Sequence, residues 1–236
     1  MKIGLFSDTH YCNADYIGKS RRPLLSYNKT RDIMEAFKRE GVDLVFCLGD
    51  MTDHDETSTK EDIIACFKKL YKLILSYGIP FCLVPGNHDY LVMSAQDMEN
   101  TSTFITPPHT IHTESCDFVI LDANYRSNME RFDTAGVEWT DSNLPREQIE
   151  YLTRELSVSK PHIVLVHECL DPYVEEHHII KNAAQIRKII SDSGTVKAVI
   201  SGHFHEGSEH IIDSVPYITL PAVCENEQNL YRIIEV

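Results

Sequence analysis

Met1-Lys2-Ile3-Gly4-Leu5-Phe6-Ser7-Asp8-Thr9-His10 opens the chain with an apolar run that turns abruptly polar. Ile3 to Phe6 reads as a strand, and just beyond it stand Asp8 and His10, two metal-type donors two residues apart. On an extended segment such residues point the same way, so both can serve one centre. The event recurs along the chain. The run Asp43 to Leu48 ends in Gly49-Asp50-Met51-Thr52-Asp53, and Pro80 to Val84 ends in Gly86-Asn87-His88-Asp89. Ile163 to Val166 leads into His167-Glu168, and Val196 to Ile200 into Gly202-His203-Phe204-His205. In open α/β sheets the carboxyl ends of strands are where sites form, because loops there carry unusual side chains on a rigid scaffold.

Helical segments separate these runs. Thr30 to Glu40 is stopped by Gly41, and Lys60 to Tyr77, with Ile63, Phe67, Leu70 and Ile74 on one face, is stopped by Gly78. Pro145 opens a helix through Leu156, and Ala183 to Ser191 forms another. Phe104 to Thr113 and Cys116 to Leu121 read as paired strands, followed by a polar loop from Asn124 to Ser142. Glu209 to Asp213, Tyr217 to Leu220 and Leu230 to Val236 read as three closing strands. The alternation is that of an α/β fold: βαβαβ first, then strand-rich, hence two packed sheets with helices outside. No repeat, low-complexity tract or linker divides residues 1–236, which read as one domain.

Composition narrows the function. The 36 acidic and 22 basic side chains give a net charge of −14, which argues against a nucleic-acid polymer or an anionic membrane as partner. A small phosphorylated substrate is still compatible, since bound cations reverse the local sign of a site. Seven cysteines without CxxC spacing, and no signal-peptide run at the start, read as reduced thiols of a cytoplasmic protein. No apolar stretch has the length a membrane span needs. The oligomeric state leaves no mark on the sequence.

Singly, each polar burst is ordinary. A D-x-H tripeptide is common in surface loops, Gly-Asp is often a turn, and a lone strand-end histidine is more often hydrogen-bonded than ligating. Together they supply Asp8, His10, Asp50, Asn87, His167, His203 and His205, mixed oxygen and nitrogen donors without thiolate. That set suits Mn, Fe or Zn better than Ca²⁺. It is too large for one tetrahedral ion and fits two, about 3.5–4 Å apart, sharing one carboxylate.

The ordered series D-x-H, G-D-x-x-D, G-N-H-D, a lone H and G-H-x-H resembles the calcineurin-like metallophosphoesterase superfamily, from Asp8 to His205. The resemblance implies a four-layer αββα sandwich with the metals on top. It implies Asp8, His10 and His205 on the first divalent or trivalent ion, Asn87, His167 and His203 on the second, and Asp50 between them. It implies further that His88 is the acid that protonates the leaving oxygen and that Asp53 orients it. A hydroxide held between the ions would attack phosphorus in line.

Within that superfamily the chain is set apart from phosphoprotein phosphatases by His54, which follows the second aspartate where they carry arginine. The helix from Leu144, with Gln148, Tyr151 and Leu152, followed by His167 and Asn182, is similar to cyclic-nucleotide phosphodiesterases. The tail over residues 202–226, with its late Glu225, resembles Mn²⁺-dependent ADP-ribose/CDP-alcohol pyrophosphatases, although these commonly have glutamine in place of His10. The implied substrate is a nucleotide-like phosphodiester or pyrophosphate. A phosphomonoester, or a non-catalytic metal-binding scaffold, are the other readings.

Lys19, Arg21 and Arg22 form a basic cluster after the first donor pair. These three could grip a second phosphate or a diester's distal charge, as could Arg126 from the middle loop, with Arg22 and Arg126 the leading candidates, against a solvated loop. Trp139 and Tyr125 could stack on a nucleobase, though loop aromatics more often pack the loop itself. His177 and His178 read as surface residues.

Overall fold

The structure, a computed structural model, describes residues 1–225 and 228–236; Asn226, which ends the quoted tail, lies outside them. Chain order is β1 (Lys2–Phe6), α1 (Pro23–Glu40), β2 (Leu44–Cys47), α2 (Lys60–Leu75), β3 (Phe81–Leu83), α3 (Ala95–Thr101), β4 (His109–His112) and β5 (Asp117–Ile120). After these come α4 (Phe132–Ala135), α5 (Arg146–Glu155), β6 (His162–Leu165), α6 (Ala183–Ser193), β7 (Val196–Ser201), β8 (Ser208–Ile212), β9 (Val215–Thr219) and β10 (Arg232–Glu235). One sheet has the order β10-β1-β2-β3, the other β4-β5-β6-β7-β9-β8. In each the inner strands run parallel, and β10, β4 and β8 close the edges antiparallel.

The strand period of two builds the layers. Ile3 and Leu5 of β1 and Leu44 and Phe46 of β2 point into a core shared with Phe118, Ile120, Ile163 and Leu165 of the other sheet. Their neighbours Phe6, Val45 and Cys47 face the opposite way, against Ile33, Met34 and Phe37 of α1 and Phe67, Leu70 and Ile74 of α2. Val119, Val164 and Val166 likewise turn outward to Leu152 of α5 and Ile186 and Ile190 of α6. Both central faces are apolar because both are covered, which is why these strands read as unbroken hydrophobic runs. The result is the four-layer αββα sandwich.

Some boundaries moved. The first helix starts at Pro23, not Thr30, with proline in its first turn. The strand expected from Phe104 is cut to His109–His112, because Pro107 and Pro108 have no N–H to give a ladder. The last strand is shortened to Arg232–Glu235. The loop 124–142 contains α4 and a 3₁₀ turn at Trp139–Asp141. Helix α3 was unforeseen; Ser94 and Asp97 cap it reciprocally. Among the described residues no helix is long and apolar enough to cross a membrane.

Candidate metal centre

Because β1, β2 and β3 run parallel, as do β6 and β7, the polar bursts beyond them emerge at one end of the sandwich. Backbone bonds then carry the strand pairing into the loops. Asp8 N–H donates to Gly49 O at 3.0 Å and His10 N–H to Asp50 O at 2.9 Å, while Gly202 N–H donates to His167 O at 3.0 Å. His203 N–H reaches across the sheets to the Asp8 carboxylate at 3.2 Å, and His88 N–H donates to Asp50 Oδ1 at 2.8 Å.

The fit is tight enough to exclude a methyl group. A Cβ at Gly86 would lie 2.2 Å from Asp50 Oδ1, and one at Gly202 would lie 2.0 Å from Ser7 Oγ. Asp8, His10, Asp50 and His203 all have positive φ, between 45° and 68°. Non-glycine residues held in the left-handed region store strain of about 1–3 kcal/mol each, and they concentrate at functional sites.

The structure brings the seven expected donors together. His10 Nε2 lies 3.1 Å from His205 Nε2, 3.4 Å from Asp50 Oδ2 and 3.8 Å from Asp8 Oδ1. His205 Nε2 is 3.4 Å from Asp8 Oδ1, and His167 Nε2 is 3.3 Å from Asp50 Oδ2. Asp50 therefore belongs to two groups of close donors, one with Asp8 and His10, the other with His167 and His203. The outer ring nitrogens are tied down: His167 Nδ1–H donates to Leu48 O, His10 Nδ1–H to Asp53 Oδ2, and His205 Nδ1–H to Glu225 Oε1. Those bonds fix the tautomer and aim each Nε2 inward, as ligating histidines require.

Three buried atoms here, Asn87 Oδ1, His167 Nε2 and His203 Nε2, have no hydrogen-bond partner. A buried polar atom left unpaired costs about 1–3 kcal/mol, so three in one nest of carboxylates mark a place built for cations. The carboxylates of the nest favour positive charge at its centre. Burial works against charge on His205, yet Asp8 and Glu225 push it up to about 10. Burial likewise opposes charge on Asp8, but His10 and His205 hold its carboxyl well below its ordinary value. The donor set fits two transition-type ions.

Beside the nest, His88 Nδ1–H donates to Asp53 Oδ1 at 3.0 Å. Burial pulls His88 below its ordinary value, outweighing the opposite pull of Asp50 and Asp53. Asp53 also accepts from Arg21 Nη1 at 2.5 Å, and that guanidinium lies 3.4 Å from His88 Nε2.

A cavity of about 450 Å³ opens over the centre, and Arg21, His88, Trp139 and Glu225 are on its wall. The two arginines expected there stand elsewhere. Arg22 lies against the Tyr16 ring and is not on the cavity wall, and Arg126 Nε donates to Gly136 O, bracing its own loop. Arg21 occupies the place; one residue along a loop decides which side chain faces in, and loop sequence carries no periodicity to tell them apart. Trp139 does reach the wall, with its ring 5.7 Å from that of His203. His177 is exposed as expected, but His178 is largely covered and on the wall. Cys224, which no spacing singled out, is buried with its thiol grouped with His10 and His205.

Comparison with known proteins follows the same line. The sequence model of the calcineurin-like phosphoesterase family matches residues 1–207. A Psychrobacter arcticus protein described as a probable cyclic nucleotide phosphodiesterase is 24% identical, with 93% of this chain and 77% of that protein covered. One of the same description from Fibrobacter succinogenes is 21% identical, over 98% and 83% of the two chains. Among solved structures, a dimetal phosphatase from Danio rerio shares the fold at a TM-score of 0.78 and 16% identity, over 98% of this chain and 91% of that one.

Proposed function

The chain belongs to the calcineurin-like phosphoesterases, metal-dependent phosphohydrolases, and we propose that it cleaves a phosphodiester or pyrophosphate bond in a small nucleotide-like molecule. The observation that carries this is the buried nest centred on Asp50, with unpaired Asn87, His167 and His203 atoms beside a cavity sized for a small molecule. Asp8, His10 and His205 would hold one cation and Asn87, His167 and His203 the other, with Asp50 shared. Bound there, two cations such as Mn, Fe or Zn would activate water for attack and offset the charge on the phosphate.

The chain's own side chains supply the rest. Asp53 fixes the His88 ring through Nδ1, leaving Nε2 to give a proton to the departing oxygen. An anionic phosphate entering the cavity favours the charged ring that burial alone disfavours. Arg21, held by Asp53 at the cavity wall, is the side chain placed to bind a second anionic oxygen of a diester or pyrophosphate. Trp139 offers an aromatic face across the cavity, which suits a nucleobase better than a bare phosphate. The names of the two bacterial relatives support a diester substrate in the same direction.

The reading is tested with Mn²⁺-loaded protein on bis-p-nitrophenyl phosphate and p-nitrophenyl phosphate. A chelator-sensitive preference for the diester is expected. A preference for the monoester would replace this proposal with a phosphatase, and inactivity on both, and on nucleotide pyrophosphates, would remove it.

A further inference from the structure

We propose that Glu175, His177 and His178 form a third cation site at the cavity mouth, for a borderline divalent ion such as Zn²⁺, Co²⁺ or Ni²⁺. One donor atom from each lies within 4.8 Å of the others, and none of the three belongs to the buried nest. Their spacing is set by a 3₁₀ turn at Glu176–His178, closed by His178 N–H donating to Glu175 O at 2.9 Å. The turn is anchored to the loop that follows His167. Cys169 N–H donates to His178 O at 3.1 Å, and Ile180 N–H to Cys169 O at 3.0 Å.

The bland alternative is a surface ion pair. His177 Nε2 and Glu175 Oε2 are 3.1 Å apart and both side chains are exposed, a kind of contact that contributes little. That accounts for two of the three groups. It leaves His178 Nδ1, which is buried, has no hydrogen-bond partner, and stands 3.9 Å from the same Glu175 oxygen, too far to bond it. An ion between the three would take the free nitrogen lone pairs and the carboxylate together. Two imidazoles and one carboxylate suit borderline ions rather than Mg²⁺ or Ca²⁺.

Trp139 supports the rings. Its ring centroid lies 5.2 Å from that of His177 and 5.4 Å from that of His178, whose own rings are 4.3 Å apart. Glu175 and His178 face the same cavity as Asp50 and His203. An ion on them would add positive charge to a rim where, among the described residues, Glu206 and Glu225 stand against the single guanidinium of Arg21. It would bind whether or not the cavity cleaves a phosphoester.

Trp139 is the chain's one tryptophan and serves as the reporter. Protein whose buried centre has been filled with Mn²⁺ is titrated with Ni²⁺, reading indole emission and, after dialysis, bound nickel by mass spectrometry. Glu175→Ala and His177→Ala are compared with the parent chain; both positions are exposed, and the first leaves the ring contacts intact. The parent is expected to take up one more nickel per chain than either variant and to show a quenching phase that both variants lose. Equal uptake and equal quenching in all three would overturn the site.

Discussion

His88 is the residue whose role is most sharply separable from its neighbours. It follows the Asn87 donor, yet its ring bonds Asp53 and faces the cavity, while its backbone N–H braces Asp50. His88→Ala keeps that N–H and removes only the ring. Turnover of bis-p-nitrophenyl phosphate is expected to fall about 10²–10⁴-fold, the usual contribution of a positioned proton donor, with metal content by mass spectrometry unchanged. Loss of both metals in that variant would make His88 a ligand instead. The convergence of these side chains was legible because carboxylates and imidazoles stood just past apolar runs. The left-handed backbone at Asp8, His10, Asp50 and His203 was not, since those residue types do not announce positive φ as glycine does. Which member of the Lys19, Arg21 and Arg22 cluster faces the cavity, and that His178 does, was hidden for another reason: an arginine or histidine in a loop looks the same in sequence whether it faces solvent or a cavity.

At the scale of elements, the central strands were readable because burial on both faces demands unbroken apolar runs, and the ends of helices were read from Gly41 and Gly78. Gly41 does cap α1, but α2, expected to run to Tyr77, already ends at Leu75, three residues before Gly78. What else failed was local competition. Pro23 lengthened α1 beyond its apolar pattern, and Pro107-Pro108 shortened the run before β4. The start of β5 offers a test of how charge holds an element in register. Burial disfavours the Asp117 carboxylate, but Lys160, at 2.5 Å, and His112, at 3.0 Å, hold it below its ordinary value. A carboxyl depressed in the folded state stabilises fully above its unfolded value near ~3.9, and that contribution is lost as pH falls through the folded value. Asp117→Asn is thus expected to lower urea stability at pH 7, with the gap to the parent chain closing as the pH drops below about 4. A gap that persists undiminished in acid would assign the loss to packing rather than charge.

For the whole molecule, the two sheets are joined at the top by the nest itself, through His203 to Asp8 and His167 beside Asp50. Cations that bind only the folded chain stabilise it by about 2.7 kcal/mol when present at a hundred times Kd. Stripping metal with a chelator is therefore expected to lower Tm by several degrees and readdition to restore it; a Tm indifferent to both would mean that the nest does not hold ions. The most direct measurement of the central claim is electron paramagnetic resonance of Mn²⁺-loaded protein, compared with Asp50→Asn. If Asp50 is shared between two ions, the parent chain shows an exchange-coupled Mn²⁺ spectrum and the variant loses it. Isolated-ion signals in the parent, or coupling that survives in Asp50→Asn, would contradict a dinuclear centre built around Asp50.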